Sequence, residues 1–224
     1  MEKIDYIFMQ SVSSAFKIKP RIVELGSRII KNQGEMSARS IFGNNYTPNE
    51  YVGVDYIEGE GVDLVEDVTN LPFNDNSINT VIALNLFEHV EKVWLAMEEV
   101  KRVLSNEGTV IFGTPFSYEI HACPEDYYRY TPFFYNKMFE DLPVRITATI
   151  GYKMRPKIVY FIGSYNKDVL ENYQAFFDIF NAGHLSSLQP LSKFKSNIRQ
   201  YFAPNHFKKD IRHQNDLNIV LETN

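Results

Sequence analysis

The chain holds one cysteine, Cys123, in 224 residues. That excludes an internal disulfide framework and any cysteine-rich zinc site. No apolar run approaches the roughly 20 residues that span a bilayer, so no membrane span is expected. The first ten residues, MEKIDYIFMQ, alternate charge with apolar side chains and lack the apolar core of a signal peptide. A cytoplasmic location is the expectation. Positive charge is in the minority, 23 Lys and Arg against 28 Asp and Glu, for a net charge of −5. No general basic field invites a nucleic-acid backbone, and no nucleic-acid partner is expected. No internal repeat or low-complexity segment is present.

Glycine is missing where a dinucleotide site needs it. In RIVELGSRIIKNQG, residues 21–34, Gly26 ends an apolar strand in a tight turn. Ser27, Arg28 and Ile29 follow where a Gly-x-Gly-x-x-Gly loop would bring pyrophosphate onto a helix N-terminus. Glu24 comes just before the turn instead. An acidic group there disfavours pyrophosphate and suits a cationic ligand.

Apolar patterning predicts strands over 21–25, 51–55, 62–66, 79–84, 108–114, 144–150 and 217–223. Helical patterns fall near 4–16, 35–43, 91–104, 132–140 and 166–181. This alternation predicts one α/β domain over 1–224, a parallel sheet with helices on both faces. In the 91–104 helix, Val93, Met97, Val100 and Leu104 form the apolar stripe. Glu91, Lys92, Glu99 and Lys101 suit its wet face. Residues 152–216 are expected as a helical or loop insertion before the last strand. Lys193, Lys195, Arg199, Lys208, Lys209 and Arg212 make it locally basic. It is read either as a solvated surface or as a landing site for an anionic substrate.

Ligands of doubly wound sheets sit beyond the carboxyl ends of the strands. Four stretches end there. Val23-Glu24-Leu25-Gly26 is the first. Tyr51-Val52-Gly53-Val54-Asp55 is the second, its acid placed either for ribose hydroxyls or as a turn former. In Asp67-Val68-Thr69-Asn70-Leu71-Pro72-Phe73, Asp67 is either an acceptor for an adenine amino group or an Asx-type turn. Leu84-Asn85-Leu86-Phe87-Glu88-His89-Val90 borders the reactive end of a cofactor. Together with Glu107-Gly108-Thr109, these stretches resemble class I S-adenosylmethionine-dependent methyltransferases of the type 11 group.

The resemblance covers residues 20–135. It implies a Rossmann-like seven-stranded sheet of order 3-2-1-4-5-7-6 with strand 7 antiparallel, a role that 217–223 would fill. It implies S-adenosylmethionine as cofactor and S-adenosylhomocysteine as product. Glu24 and Gly26 would border the methionine moiety, Asp55 the ribose and Asp67 with Val68 the adenine. Asn85 would lie at the methionine end.

The stretch from Thr114 to Pro132 also resembles type 11 members near sugar and polysaccharide biosynthesis. His121 is either a general base or an anchor that orders the loop. Asp126 and Arg129 are expected to pair with each other. Tyr127, Tyr128 and Tyr130 wall a pocket or pack a core. His89, after Glu88, is either an acid/base partner or the residue that orders its turn. His121 and Asp126 offer mixed ligands, but no dense His/Asp spacing recurs, so no metal site is expected. The expected activity is methyl transfer to a small-molecule acceptor, a hydroxyl of a sugar or glycan precursor. The rivals are a cofactor-binding protein without turnover and an NAD-dependent oxidoreductase.

Overall fold

A computed structural model describes residues 3–30, 38–42, 46–122, 124–152, 154–187 and 217–223. Cys123 and the six basic residues between 193 and 212 lie outside them. The helices are α1 (Lys3–Ala15), α2 (Ala38–Phe42), α3 (Val93–Val103), α4 (Pro132–Met138), α5 (Asp168–Glu171) and α6 (Tyr173–Ser187). The strands are β1 (Ile22–Leu25), β2 (Tyr51–Asp55), β3 (Leu64–Val65), β4 (Ile78–Leu84) and β5 (Leu104–Pro115), then β6 (Val144–Tyr152), β7 (Arg155–Ser164) and β8 (Leu217–Thr223). A 3-10 turn, Phe87–His89, follows β4.

One sheet of order β3-β2-β1-β4-β5-β7-β6-β8 takes every described strand. β1 to β5 pair in parallel. β7 is antiparallel to both β5 and β6, and β8 to β6. The order expected from the resemblance is therefore present, with an eighth strand at its edge. Strands buried on both faces read as continuous apolar runs, as Val81-Ile82-Ala83 and Val110-Ile111-Phe112 do. On one face Val93, Ala96, Met97 and Val100 of α3 pack on Val81, Ala83, Val110 and Phe112. On the other, Phe8, Met9 and Val12 of α1 join Phe176 and Phe180 of α6 over Ile82, Ile111 and Ile162. Phe8 stacks on Tyr160 of β7 with ring centroids 4.1 Å apart.

Two expectations about the last third are corrected. Residues 155–164, expected within an insertion, form β7 of the central sheet. Residues 217–223, expected as the antiparallel strand 7, form the edge strand β8. The hairpin gives the reason: Tyr152 of β6 pairs with Arg155 of β7, so the chain turns straight back. β7 thereby fills the place between β5 and β6. The last strand pairs with the outer edge of β6.

Candidate active site

The carboxyl ends of β1, β2 and β4 meet where strand order reverses, the usual place for a ligand in an open α/β sheet. Gly26 adopts φ +72°, and a Cβ there would lie 3.2 Å from Leu86 Cβ. The turn after β1 thus touches the turn after β4, and glycine fits both the φ and the gap. The N–H groups of Gly26 and Ser27 donate to the Val54 carbonyl at 2.8 and 3.1 Å, which ties this turn to β2.

Glu24 faces the α1 and α2 side and is buried. Tyr51 donates its hydroxyl to Glu24 Oε2 at 2.5 Å. Burial pushes the carboxyl up to about 7, against the lowering effects of the Tyr51 bond and the Arg39 charge. Asp55 accepts the Arg28 N–H at 3.2 Å and the Ile57 N–H at 3.0 Å. It ties its own turn to the one after β1. Asp67 accepts both the N–H and the hydroxyl of Thr69 at 2.8 Å, an Asx-type turn. Val68 packs at the margin of the core. Arg102 of α3 holds the segment that follows, donating to the carbonyls of Phe73 at 2.8 Å and Leu71 at 2.9 Å. Glu99, expected on the wet face, instead accepts the Leu71 N–H at 2.8 Å and pairs with Arg102. Asn85 sits at φ +53° and donates its own N–H to Gly113 at 2.8 Å.

The loop after β5 docks onto the turn after β4. The N–H of Tyr127 donates to the Glu88 carbonyl at 2.8 Å. The Tyr130 hydroxyl donates to the Phe87 carbonyl and the Tyr128 hydroxyl to the Glu91 carbonyl, each at 2.7 Å. Asp126 accepts the His121 N–H at 2.9 Å and Arg129 Nη2 at 2.8 Å. The Arg129 guanidinium holds the Asp126 carboxyl well below the usual carboxylate range. The expected Asp126–Arg129 pair is thus present, and it orders the loop. Docking stacks the rings of His89 and His121 edge to face, with centroids 4.8 Å apart. Glu88 is fully buried beneath them, and burial pushes its carboxyl up to about 8.

Residues 40–112 match the family model of a methyltransferase domain. Over that segment, a third of the chain, the sequence is similar to methyltransferase domains of the type 11 group. Solved methyltransferases share the fold at low identity. A Burkholderia thailandensis 1,6-didemethyltoxoflavin-N1-methyltransferase, bound to its substrate and S-adenosylhomocysteine, superposes with TM-score 0.54 and 8% identity, over 74% of this chain and 79% of that one. A possible histamine N-methyltransferase from Thermotoga maritima gives 0.51 and 17%, over 72% and 89%. A putative Haloferax volcanii methyltransferase, in complex with the activator Trm112, gives 0.51 and 16%, over 73% and 91%. No curated protein matches the sequence. No described helix is long and apolar enough to cross a membrane.

The methyltransferase fold brings Glu24, Gly26, Asp55 and Asn85 to neighbouring strand ends, with Asp67 and Val68 just beyond β3 on the far side of β2. His121 lies across the β4 end. Two residues of this crevice escaped the sequence reading. Asp5 of α1 is buried and accepts the Tyr160 hydroxyl at 2.6 Å and Asn85 Nδ2 at 3.1 Å. An acid on the apolar face beside Phe8, Met9 and Val12 was its signal. Glu88 was read only as a neighbour of His89, yet its buried side chain lies at the centre of the docked loop.

Proposed function

We propose that this methyltransferase moves the methyl group of S-adenosylmethionine to a hydroxyl of a small molecule, a sugar or glycan precursor. The observation that supports it most is the docking of the post-β5 loop, which sets His121 beside the β4 turn that follows Asn85. In this reading the cofactor lies over the β1, β2 and β4 ends. Glu24 and Gly26 border the methionine moiety, and Asn85 its reactive end. Asp55 takes the ribose hydroxyls. Asp67 and Val68 meet the adenine. The sulfonium is itself a strong electrophile, so alignment and exclusion of water matter most. The acceptor O–H must still lose its proton. His121 Nδ1 is held by the Glu119 carbonyl at 3.2 Å, which leaves the Nε2 lone pair to take it.

The exposed Tyr118 ring packs edge to face on His121 at 5.2 Å and, with the exposed Ile120 next to it in the chain, would receive a ring-shaped acceptor. The test is transfer of labelled methyl to a panel of sugars and nucleotide-sugars, with amines as the contrasting class. Calorimetry with S-adenosylhomocysteine and NAD accompanies it. Labelled hydroxyl products and binding of the homocysteine ligand alone are expected. Transfer to amines only would replace the acceptor class. Binding without transfer to either class would reduce the chain to a cofactor-binding protein.

A further inference from the structure

We infer that Glu88, His89 and His121 form a site for a divalent transition-metal cation. One ligand atom from each lies within 4.8 Å of the other two. Bonds of about 2.0–2.2 Å would draw the three to roughly 3–3.5 Å apart, a closure of up to about 1.5 Å.

Each side chain is set up as a ligand by what holds its other end. His89 Nδ1 contacts the Glu125 carbonyl. A carbonyl accepts only a proton, so Nδ1 carries the hydrogen and Nε2 carries the lone pair. That Nε2 lies 3.8 Å from Glu88 Oε1. His121 Nδ1 faces the Glu119 carbonyl at 3.2 Å and Asp126 Oδ2 at 3.3 Å. Its Nε2 is likewise left with the lone pair. Imidazoles that ligate metals are oriented in this way, by a carbonyl or carboxylate on the far nitrogen.

Glu88 supplies an independent observation. Its side chain is fully buried, and among the described residues neither carboxylate oxygen has a hydrogen-bond partner on another residue. Buried carboxylates are ordinarily paired, hydrogen-bonded or bound to a cation. The nearby guanidinium of Arg129 is committed to Asp126 through both Nη1 and Nη2. A cation between Glu88 and the two imidazoles would complete the carboxylate.

Two imidazoles and one carboxylate suit zinc, manganese, iron(II) or cobalt better than magnesium or calcium, which prefer oxygen ligands. Three ligands leave positions open to an acceptor oxygen. That part rests on the methyl-transfer reading above. There the cation would take over the work given to the His121 lone pair. The acceptor O–H, bound to the cation, loses its proton to water. The oxygen then attacks the methyl carbon, the carbon–sulfur bond breaks, and its electron pair stays on sulfur.

The test uses the full chain, stripped with a chelator and titrated with cobalt(II) by visible absorption and calorimetry, with magnesium as contrast. One saturable cobalt equivalent is expected, with weak or no magnesium binding. Glu88→Gln and His121→Ala should each weaken cobalt binding about 100-fold or more. Glu88→Gln also guards against misfolding as an explanation. Its metal-free form should be about as stable as wild type, because a neutral amide of the same shape replaces a buried carboxyl that has no partner to lose, while cobalt should no longer raise its melting temperature. Absent saturable binding, or binding unchanged in both variants, would overturn the site. S-adenosylhomocysteine titrated into the same samples reads the methyl-transfer proposal separately. Binding of that ligand without cobalt overturns the metal site alone; cobalt binding without it overturns only the placement over an acceptor.

Discussion

Asn85 donates its side-chain amide to Asp5 at 3.1 Å, across 80 residues of chain. The same carboxylate accepts the Tyr160 hydroxyl at 2.6 Å. The first helix is thereby fastened to the end of β4, where the methyl group is expected, and to the antiparallel strand beyond it. The site thus depends on a helix that lies before the cofactor motifs in the chain.

Asp5→Ala is the first expected consequence. It strands a buried hydroxyl and an amide, at about 1–3 kcal/mol. Urea unfolding should show a lower midpoint with an unchanged slope. S-adenosylhomocysteine affinity should fall as well, because Asn85 loses its anchor. An unaltered midpoint would reduce Asp5 to a passive helix residue.

Asp55 has two candidate tasks that differ in what its loss does. If it holds the ribose, Asp55→Ala should weaken S-adenosylhomocysteine binding by about 1.5–3 kcal/mol, the range for charge-assisted bonds. Two backbone N–H groups, of Arg28 and Ile57, also lose their acceptor. Both lie in turns open to water, so a folded variant is expected. Calorimetry on that folded variant decides the matter: unchanged affinity would leave Asp55 as a turn residue only.

The carboxyl of Glu24 titrates near 7 in the fold, against 4.5 as its ordinary value. Burial disfavours the charged form, so folding holds the proton more tightly than the unfolded chain does. The stabilising contribution is complete below about pH 4.5 and is lost as pH rises through about 7. The interval is 2.5 units, 7 minus 4.5, on the order of 3 kcal/mol. Denaturation of wild type and Glu24→Gln at pH 5 and pH 8 measures it. The variant should change less between the two pH values than wild type does. Equal changes would mean that Glu24 keeps its ordinary acidity.

The sheet was readable wherever a strand lies among parallel neighbours. Ile22–Leu25, Tyr51–Asp55 and Ile78–Leu84 are apolar runs ended by turn residues, and they stand where patterning put them. β7 was missed although Ile158-Val159-Tyr160-Phe161-Ile162 is as apolar as β4. Its neighbours Lys157 and Tyr165-Asn166-Lys167 are polar, and the long stretch beyond them drew the whole segment into one insertion. The last strand was found but given the wrong neighbour. Pairing in a sheet is set by the hairpin between β6 and β7, and nothing within 217–223 encodes it. At the site, glycine and acid positions survive translation because strand ends fix them. Glu88 and His121 do not, since 33 positions separate them and only the docked loop, through Tyr127, Tyr128 and Tyr130, joins them.

His121 is where the two accounts of the loop part. If it acts on the acceptor, as base or through a bound cation, His121→Ala should lower turnover roughly 10²–10⁴-fold. Cofactor affinity should stay nearly unchanged, because the imidazole lies on the β4 and β5 side of the crevice and away from Asp55. If it only orders the loop, the effect takes another form. The backbone N–H of residue 121 would still donate to Asp126, and Arg129 would still hold that carboxylate. The loop would keep most of its anchoring, with a modest rise in acceptor KM and faster amide exchange over 118–130. Steady-state kinetics with hydrogen exchange on the same variant separates these patterns. A mutant that keeps its turnover number while its loop exchanges faster would remove His121 from the chemistry. A mutant with native exchange and turnover lost would show that the imidazole, and not the shape of the loop, is what the reaction needs.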